Sequence, residues 1–182
     1  MLYGSLPVSE HPLVELRPIV EADLPDWYAY LCMPQVYEHT SWSVSSASDL
    51  ASYAEQSAAA SADSRLRLAV AERSSGKLVG TIGFHSVSPQ DRRAELAYDL
   101  APHVWGQGLA TYLANLVARW AHEHVGLARV QATVLQSNVR SIAVLERCGF
   151  EFEGLLKSFR MVRGAPGNFC MYAHVAPAYR VT

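Results

Sequence analysis

The most restrictive feature of this sequence is a change of hydrophobic period around residues 93–120. Residues 93–100 read R-A-E-L-A-Y-D-L, a strand-like pattern, and a turn containing two glycines follows them. Beyond the turn, apolar side chains recur at helical spacing on a single face: Leu109, Leu113, Leu116, Val117 and Trp120. A strand, a glycine turn and an amphipathic helix in succession predict a sheet with a helix packed on its face.

The rest of the chain repeats these two periods. We predict strands at 13–19, 66–72, 78–85, 93–100, 129–135, 150–156 and 168–175, and helices at 21–31, at about 48–60, from 109 to near Gly126, and at 138–147. The resulting order, βα(α)βββαβαββ, is typical of an α+β sheet with helices on its faces. Because no linker divides the chain, we expect one domain over 1–182 with a core at about 13–176.

Composition excludes several classes of protein. Half of the 182 residues are apolar and 18% are charged, which excludes a disordered tail or a fibre. The net charge of −2 argues against a general nucleic-acid or membrane-surface binder. We find neither a long apolar window nor a signal-peptide pattern, so we expect a cytoplasmic protein without a membrane span. The three cysteines form no C-x-x-C pair and suit a reducing compartment.

The glycine turn predicts a phosphate site. Gly106, Gly108 and the small Ala110 would let phosphate oxygens approach backbone amides at a helix N-terminus, and Thr111 could add a hydroxyl. A Walker loop would need Lys after the second glycine, and the dinucleotide fingerprint would need Gly or Ala at position 111. Neither pattern fits, so the predicted chemistry is binding of a pyrophosphate by main-chain amides.

The segment Trp105-Gly106-Gln107-Gly108-Leu109-Ala110 resembles the acetyl-CoA-binding motif Q/R-x-x-G-x-G/A of the GNAT superfamily of acyl-CoA-dependent N-acyltransferases, with Trp in place of the leading residue. The longer run E-L-A-Y-D-L-A-P-H-V-W-G-Q-G-L-A-T is similar to the RimJ/RimL-like branch. A second block, with N-V-R-S at 138–141, L-E-R-C-G-F at 145–150 and E-G at 153–154, resembles the family segment that follows this loop. The resemblance covers roughly residues 13 to 176.

This resemblance implies a GNAT-like fold, a mixed and mostly antiparallel sheet flanked by helices, with a splayed central strand pair. The strands ending near Leu100 and Leu135 would part, and the pantetheine arm of acetyl-CoA would lie between them. The cofactor contacts implied by the family are the backbone near Tyr98 and Leu100 for pantetheine, Gln107, Gly108, Leu109, Ala110 and Thr111 for the pyrophosphate, and Asn138 with Ser141 for the thiol end.

Two residues are candidates for catalysis. Glu95 is the candidate base, which would accept the amine proton through a water, and many family members carry Glu here. The alternative is a sheet-surface carboxylate paired with Arg93 or another neighbour. Ser141 is the candidate for protonating the departing thiolate, and the alternative is a helix-start serine that bonds the backbone. Many GNAT members have Tyr where this chain has Leu145, so the general acid stays open, and Tyr98 is interpreted as a packed aromatic.

Other chemistry-bearing residues carry weaker hypotheses. His39, Trp42 and His85 could line the acceptor pocket, although each also fits simple packing or surface exposure. Cys148 has no sequence-local base and is disfavoured as an acyl-carrying nucleophile. The run His122-Glu123-His124 is disfavoured as a metal site, because residues i and i+2 of a helix face different directions. We expect no metal.

The sequence therefore predicts an N-acetyltransferase that moves the acetyl group of acetyl-CoA, its co-substrate, to a primary amine in a ternary complex. The acceptor would be a protein N-terminal α-amine of the ribosomal-protein type or a small amine, with no nucleic-acid or membrane partner. Two alternatives stay open, a non-catalytic acyl-CoA-binding or sensory module of the same fold and a nucleotide-binding protein of another fold. We expect a monomer or a homodimer.

Overall fold

The structure is a computed structural model, and it describes residues 5–41, 44–58 and 65–179. Within these ranges no helix is long and apolar enough to cross a membrane. The elements are the strands β1 (Val14–Pro18), β2 (Leu66–Glu72), β3 (Leu78–Ser88), β4 (Arg93–Leu100), β5 (Arg129–Leu135), β6 (Glu151–Val162) and β7 (Ala165–Val175), and the helices α1 (Leu24–Leu31), α2 (Pro34–Tyr37), α3 (Ala51–Ala58), α4 (Leu109–Trp120) and α5 (Val139–Arg147).

The seven strands form one sheet in the order β1-β2-β3-β4-β5-β7-β6. Neighbouring strands are antiparallel except for β4 and β5, which run parallel. The parallel ladder runs only from the pair Arg93 and Arg129 to the pair Glu95 and Gln131. Both strands continue beyond that point without pairing to each other, as far as Leu100 and Leu135. This confirms the expected α+β architecture with a splayed central pair.

Each face of the sheet is covered by its own helices. The apolar stripe of α4 packs on one face, where Leu113 and Val117 lie in one buried cluster with Leu96 of β4. The opposite face carries α1 and its neighbours, with Trp27 and Leu50 at the centre of a second buried cluster. Successive side chains of a strand alternate between faces, so β4 presents apolar residues to α4 and its two carboxylates to the α1 side.

The structure differs from the sequence prediction mainly in the last hairpin. β6 continues to Val162 and β7 begins at Ala165, whereas the predicted strands ended at 156 and began at 168. Most of β6 is solvent-exposed and its pairing with β7 shifts twice, so its side chains show no clean alternation of burial. Helix α2 was not predicted. The predicted helix at 48–60 is present as α3 after one 3₁₀ turn, and residues 59 and 60 lie outside the described residues.

Candidate active site

Strand β4 presents backbone groups to the gap between the central strands. Just beyond β4, the amide of Ala101 donates a hydrogen bond to the carbonyl of Val79 at 2.8 Å. The odd-numbered residues of β4 therefore direct their N–H and C=O groups toward β3. In an antiparallel ladder the alternate residues turn their N–H and C=O groups to the other side. Tyr98 and Leu100 therefore direct theirs toward the gap, where β5 no longer pairs. The Leu100 carbonyl already accepts a hydrogen bond from the Trp105 indole at 2.8 Å.

The glycine turn leads directly into an uncapped helix. Gly106 and Gly108 both have φ of +76°, a left-handed conformation that glycine adopts without strain. A Cβ added at either position would meet no atom within 4 Å. Gly108 is the N-cap of α4, no side chain caps the helix, and the amide of Tyr112 is bonded to the Gly108 carbonyl at 3.0 Å. The amides of residues 109–111 thus have no intrahelical acceptor, and open space with a positive helix end suits a pyrophosphate.

The side chains of the turn hold its shape. Trp105, which departs from the family motif, donates its indole N–H to the end of β4 and lies 5.0 Å from the guanidinium carbon of Arg140. Gln107 donates its side-chain amide to the carbonyl of His103 at 3.1 Å. The side chain of Gln107 is therefore occupied locally, and its backbone amide is the group left for an anion.

A pair of hydroxyl groups lies on the α4 side of the gap. The Tyr98 hydroxyl and the Ser141 Oγ are 2.8 Å apart. Asn138 caps α5, since its Oδ1 accepts from the Ser141 amide at 3.1 Å, and this cap holds Ser141 in the first turn of the helix. Burial raises the pKa of Tyr98, so its hydroxyl stays protonated at neutral pH. Sequence reasoning missed this contact, although the strand period placed Tyr98 on the correct face.

Glu95 lies where the two central strands part, on the opposite face. It is 5% exposed, and its Oε1 accepts hydrogen bonds from the Thr133 hydroxyl and from Arg160, the latter at 3.1 Å. His85 approaches the same oxygen at 3.7 Å. The expected alternative partner, Arg93, bonds to Asp91 instead. Among the described residues, no side chain donates a hydrogen bond to Oε2, so that oxygen has an acceptor position for a water or an amine.

His85 is the second titratable group at this position. Burial lowers the pKa of His85 from its usual 6.5, the nearby Glu95 opposes the shift, and Arg160, Arg67 and Arg65 add to it. The imidazole is therefore uncharged at neutral pH. Arg65, Arg67 and Arg160 therefore lie close enough to His85 to disfavour its protonated form, and two of them are paired with the carboxylates Asp99 and Glu95.

Asp99, the other carboxylate of β4, is fully occupied. Its Oδ1 accepts from the Trp27 indole at 3.1 Å and from the Tyr30 hydroxyl, and its Oδ2 accepts from Thr81 at 2.8 Å and from Arg67. These bonds tie α1 to the sheet. A carboxylate with four donors around it is a structural node and has no oxygen left for a substrate amine.

The tip of the β6–β7 hairpin closes over the α1 side. Arg163 donates to the carbonyls of Tyr37 at 2.9 Å, of Thr40 at 3.0 Å and of Glu38 at 3.0 Å. The Asn138 amide also reaches the carbonyl of His39 at 3.4 Å. A cavity of about 200 Å³ opens beside this segment, lined by Leu31, Cys32, Tyr37, Thr40 and Val44. Trp42, the third expected pocket residue, lies outside the described residues.

The remaining candidates have structural partners. Cys148 is buried, its thiol contacts the Thr111 carbonyl at 3.4 Å, and burial raises its pKa, all of which argue against a thiolate nucleophile. His122 bonds through one ring nitrogen to His174 at 2.9 Å and through the other to the carbonyl of Leu127 at 2.8 Å. Both nitrogens of His122 are thus engaged within the protein.

Residues 14–151 match the family model described as the acetyltransferase (GNAT) domain. YoaA of Bacillus subtilis, named as an uncharacterized N-acetyltransferase, is 33% identical over 112 residues, which cover 62% of this chain and 63% of YoaA. Mycobacterium smegmatis RimJ in complex with CoA-disulfide superimposes with a TM-score of 0.75 at 25% identity, covering 93% of this chain and 85% of RimJ. The ribosomal-protein-S5-alanine acetyltransferase of Vibrio fischeri has a TM-score of 0.81 and covers 96% of this chain and 99% of its own. Because the Vibrio fischeri protein is only 17% identical, its likeness to this chain concerns the fold alone.

Proposed function

Because the chain belongs to the GNAT acetyltransferase family, we propose that it transfers the acetyl group of acetyl-CoA to a primary amine. The observation that carries this proposal is the arrangement around the gap between β4 and β5. An unpaired strand edge and an uncapped glycine turn lie beside a hydroxyl pair, and a carboxylate lies on the opposite face at the point where the strands part. Such a gap lets a thioester and an amine approach from opposite faces of the sheet.

The proposed contacts of acetyl-CoA follow the gap from one end to the other. The amides of the turn would hold the pyrophosphate, because they lack intrahelical acceptors and open onto free space. The backbone of β4 would pair with pantetheine. At Leu100 the amide is the free group for this pairing, because the carbonyl already accepts a hydrogen bond from Trp105. The complete proposed set is Tyr98, Leu100, Gln107, Gly108, Leu109, Ala110, Thr111, Asn138 and Ser141.

The reaction we propose forms one bond and breaks one. The amine nitrogen attacks the thioester carbonyl carbon, an N–C bond forms, and the C–S bond breaks. Glu95 accepts the amine proton through a water at Oε2, while Ser141 donates a proton to the departing thiolate and recovers one from Tyr98. Tyr98 regains its proton from solvent, and Glu95 releases the amine proton to solvent, so that the net products are the amide and the free thiol. A β4 amide facing the gap stabilises the oxyanion. Leu145 is fully buried in the core, so the hydroxyl pair takes the acid role that Tyr has in many relatives.

The proposed acceptor is a protein N-terminal α-amine or a small amine. An α-amine has a pKa of about 8, so a fraction of it is already unprotonated near neutral pH and it needs only modest help, whereas a lysine with a pKa of about 10.4 needs more. We propose a cytoplasmic location, which is supported by three free cysteines.

The test is transfer itself. Purified protein is incubated with acetyl-CoA and a panel of peptides, polyamines and amino acids, and free thiol is measured together with the mass of the acceptor. The expected result is thiol release that depends on the amine and equals the acetylated product. Tight CoA binding without transfer to any amine would contradict the proposal and favour a non-catalytic acyl-CoA-binding module.

A further inference from the structure

A bulge in β6 directs one arginine into the acceptor side of the site. Between Leu156 and Arg160 the pairing with β7 shifts, so that residues 157–159 face the single residue Asn168. Ser158 has φ of +51°, and its amide is held by the Asn168 side chain at 3.0 Å. Bulges commonly re-aim side chains next to active sites. Here the bulge places the guanidinium of Arg160 against the carboxylate of Glu95.

Arg160 is a fixed cation with unused donors. Its guanidinium carbon lies 4.9 Å from the ring centre of Phe159 and 5.6 Å from that of Phe169, and one Nη bonds to Glu95 at 3.1 Å. Among the described residues, its other N–H groups have no acceptor, and the side chain is 35% exposed. A guanidinium held beside two aromatic rings has a planar pair of donors that matches a carboxylate.

The surrounding charges also favour an anionic group. Arg67 is neutralised by Asp99, but Arg65 and Arg163 add positive charge near the same face. Two acidic side chains oppose them, the buried Glu95, which pairs with Arg160, and Glu38, which is 66% exposed. An acceptor whose charges are all positive would therefore meet cations on approach, whereas one with a carboxylate would be attracted.

We propose that the acceptor is an aminocarboxylate, an amine that carries a carboxylate a few bonds away. Its amine would lie at Glu95 and its carboxylate at Arg160. This inference rests on the proposed acetyltransferase function. Because the two protein groups are 3.1 Å apart, the amine and the carboxylate of the acceptor must also be close, as in an amino acid or an N-terminal aspartyl residue. A polyamine lacks the second group.

Matched acceptors test this directly. We compare kcat/KM for glycine with that for glycinamide, and kcat/KM for Asp-Ala-amide with that for Asn-Ala-amide. The two members of each pair differ by one carboxylate. The first pair tests a free amino acid as acceptor, and the second tests a peptide N-terminus. Wild type should prefer the acid of at least one pair by about 10-fold or more, the effect expected of a charge-assisted hydrogen bond. Arg160→Gln should reduce that ratio to about threefold or less.

Lys157→Gln is the control, because it removes the same charge from an exposed position of the same strand. It should keep the wild-type ratio. Equal transfer to acids and amides by wild type would overturn the inference and leave the proposed function intact. This comparison uses wild type alone, so it does not depend on whether a variant folds. An equal loss for both members of a pair in Arg160→Gln would also overturn it, because Arg160 would then act only through Glu95. Absence of transfer to every acceptor would overturn both proposals.

Discussion

Replacement of Gly108 by valine tests whether the start of α4 binds CoA. Gly108 has φ of +76°, and an L-residue in the left-handed region costs about 1–2 kcal/mol. No clash adds to this cost, because the space around a Cβ is empty within 4 Å. Native stability is typically about 5–15 kcal/mol, so the variant should remain folded with a Tm lowered by about 2–8 °C.

The same empty space is where phosphate oxygens would approach the amides of residues 109–111. The valine methyl groups would fill it and keep the phosphates from those amides. Loss of two charge-assisted hydrogen bonds, at about 1.5–3 kcal/mol each, corresponds to a loss of CoA affinity of about 100-fold or more. Calorimetric titration with CoA measures the affinity, and thermal unfolding measures the stability.

Gly76→Val is the matched control. Gly76 also has a left-handed backbone, with φ of +70°, and no atom within 4 Å of an added Cβ, but it lies in the turn between β2 and β3. Both variants should lose similar stability, and only Gly108→Val should lose CoA. The reasoning is refuted if Gly108→Val binds CoA within threefold of wild type, or if both variants lose binding alike.

Three further changes probe the site. Tyr98→Phe removes the hydroxyl that contacts Ser141 and should lower kcat about 10²-fold at unchanged CoA affinity in steady-state and binding measurements; an unchanged kcat would exclude the relay. Asn138→Ala should lower the free energy of unfolding by about 1 kcal/mol, because the helix cap is lost, and should also weaken CoA binding. If CoA affinity is unchanged at the same folded fraction, Asn138 acts only as the helix cap. The His85 pKa, measured by NMR titration, should lie below 6.5 and rise in Arg160→Gln, which removes a cation that lowers it; a pKa at or above 6.5 in wild type would contradict the buried, cation-rich environment.

The central elements could be predicted from the sequence because their periods are strong. The structure has β4 at the predicted bounds, and the apolar stripe that begins at Leu109 forms the core-facing side of α4. The splay of the central strands could not be predicted from such periods. No local pattern near Glu95 or Gln131 encodes where a ladder ends, and only the resemblance to a family predicted it.

The contacts at the candidate site that sequence reasoning missed join residues distant in sequence. Arg160 lies on an exposed edge strand that a bulge makes irregular, so neither burial period nor turn chemistry indicated that it reaches Glu95. The contact between Tyr98 and Ser141 depends on how α5 packs beside β4. The Arg163 side chain donates to the backbone carbonyls of residues 37, 38 and 40. Every residue has a backbone carbonyl, so the sequence does not indicate which ones Arg163 binds.

The pH dependence of wild type and of Glu95→Gln tests the central claim most directly, that this site transfers an acetyl group to an amine whose proton passes to Glu95. The substitution keeps the size and polarity of the side chain and removes the carboxylate. At neutral pH, kcat/KM for the acceptor should fall about 10²-fold or more, while CoA affinity stays close to wild type. The deficit should shrink as pH rises, because the amine then arrives without its proton. Parallel profiles that differ by less than threefold would contradict the account and leave Glu95 as the structural partner of Arg160.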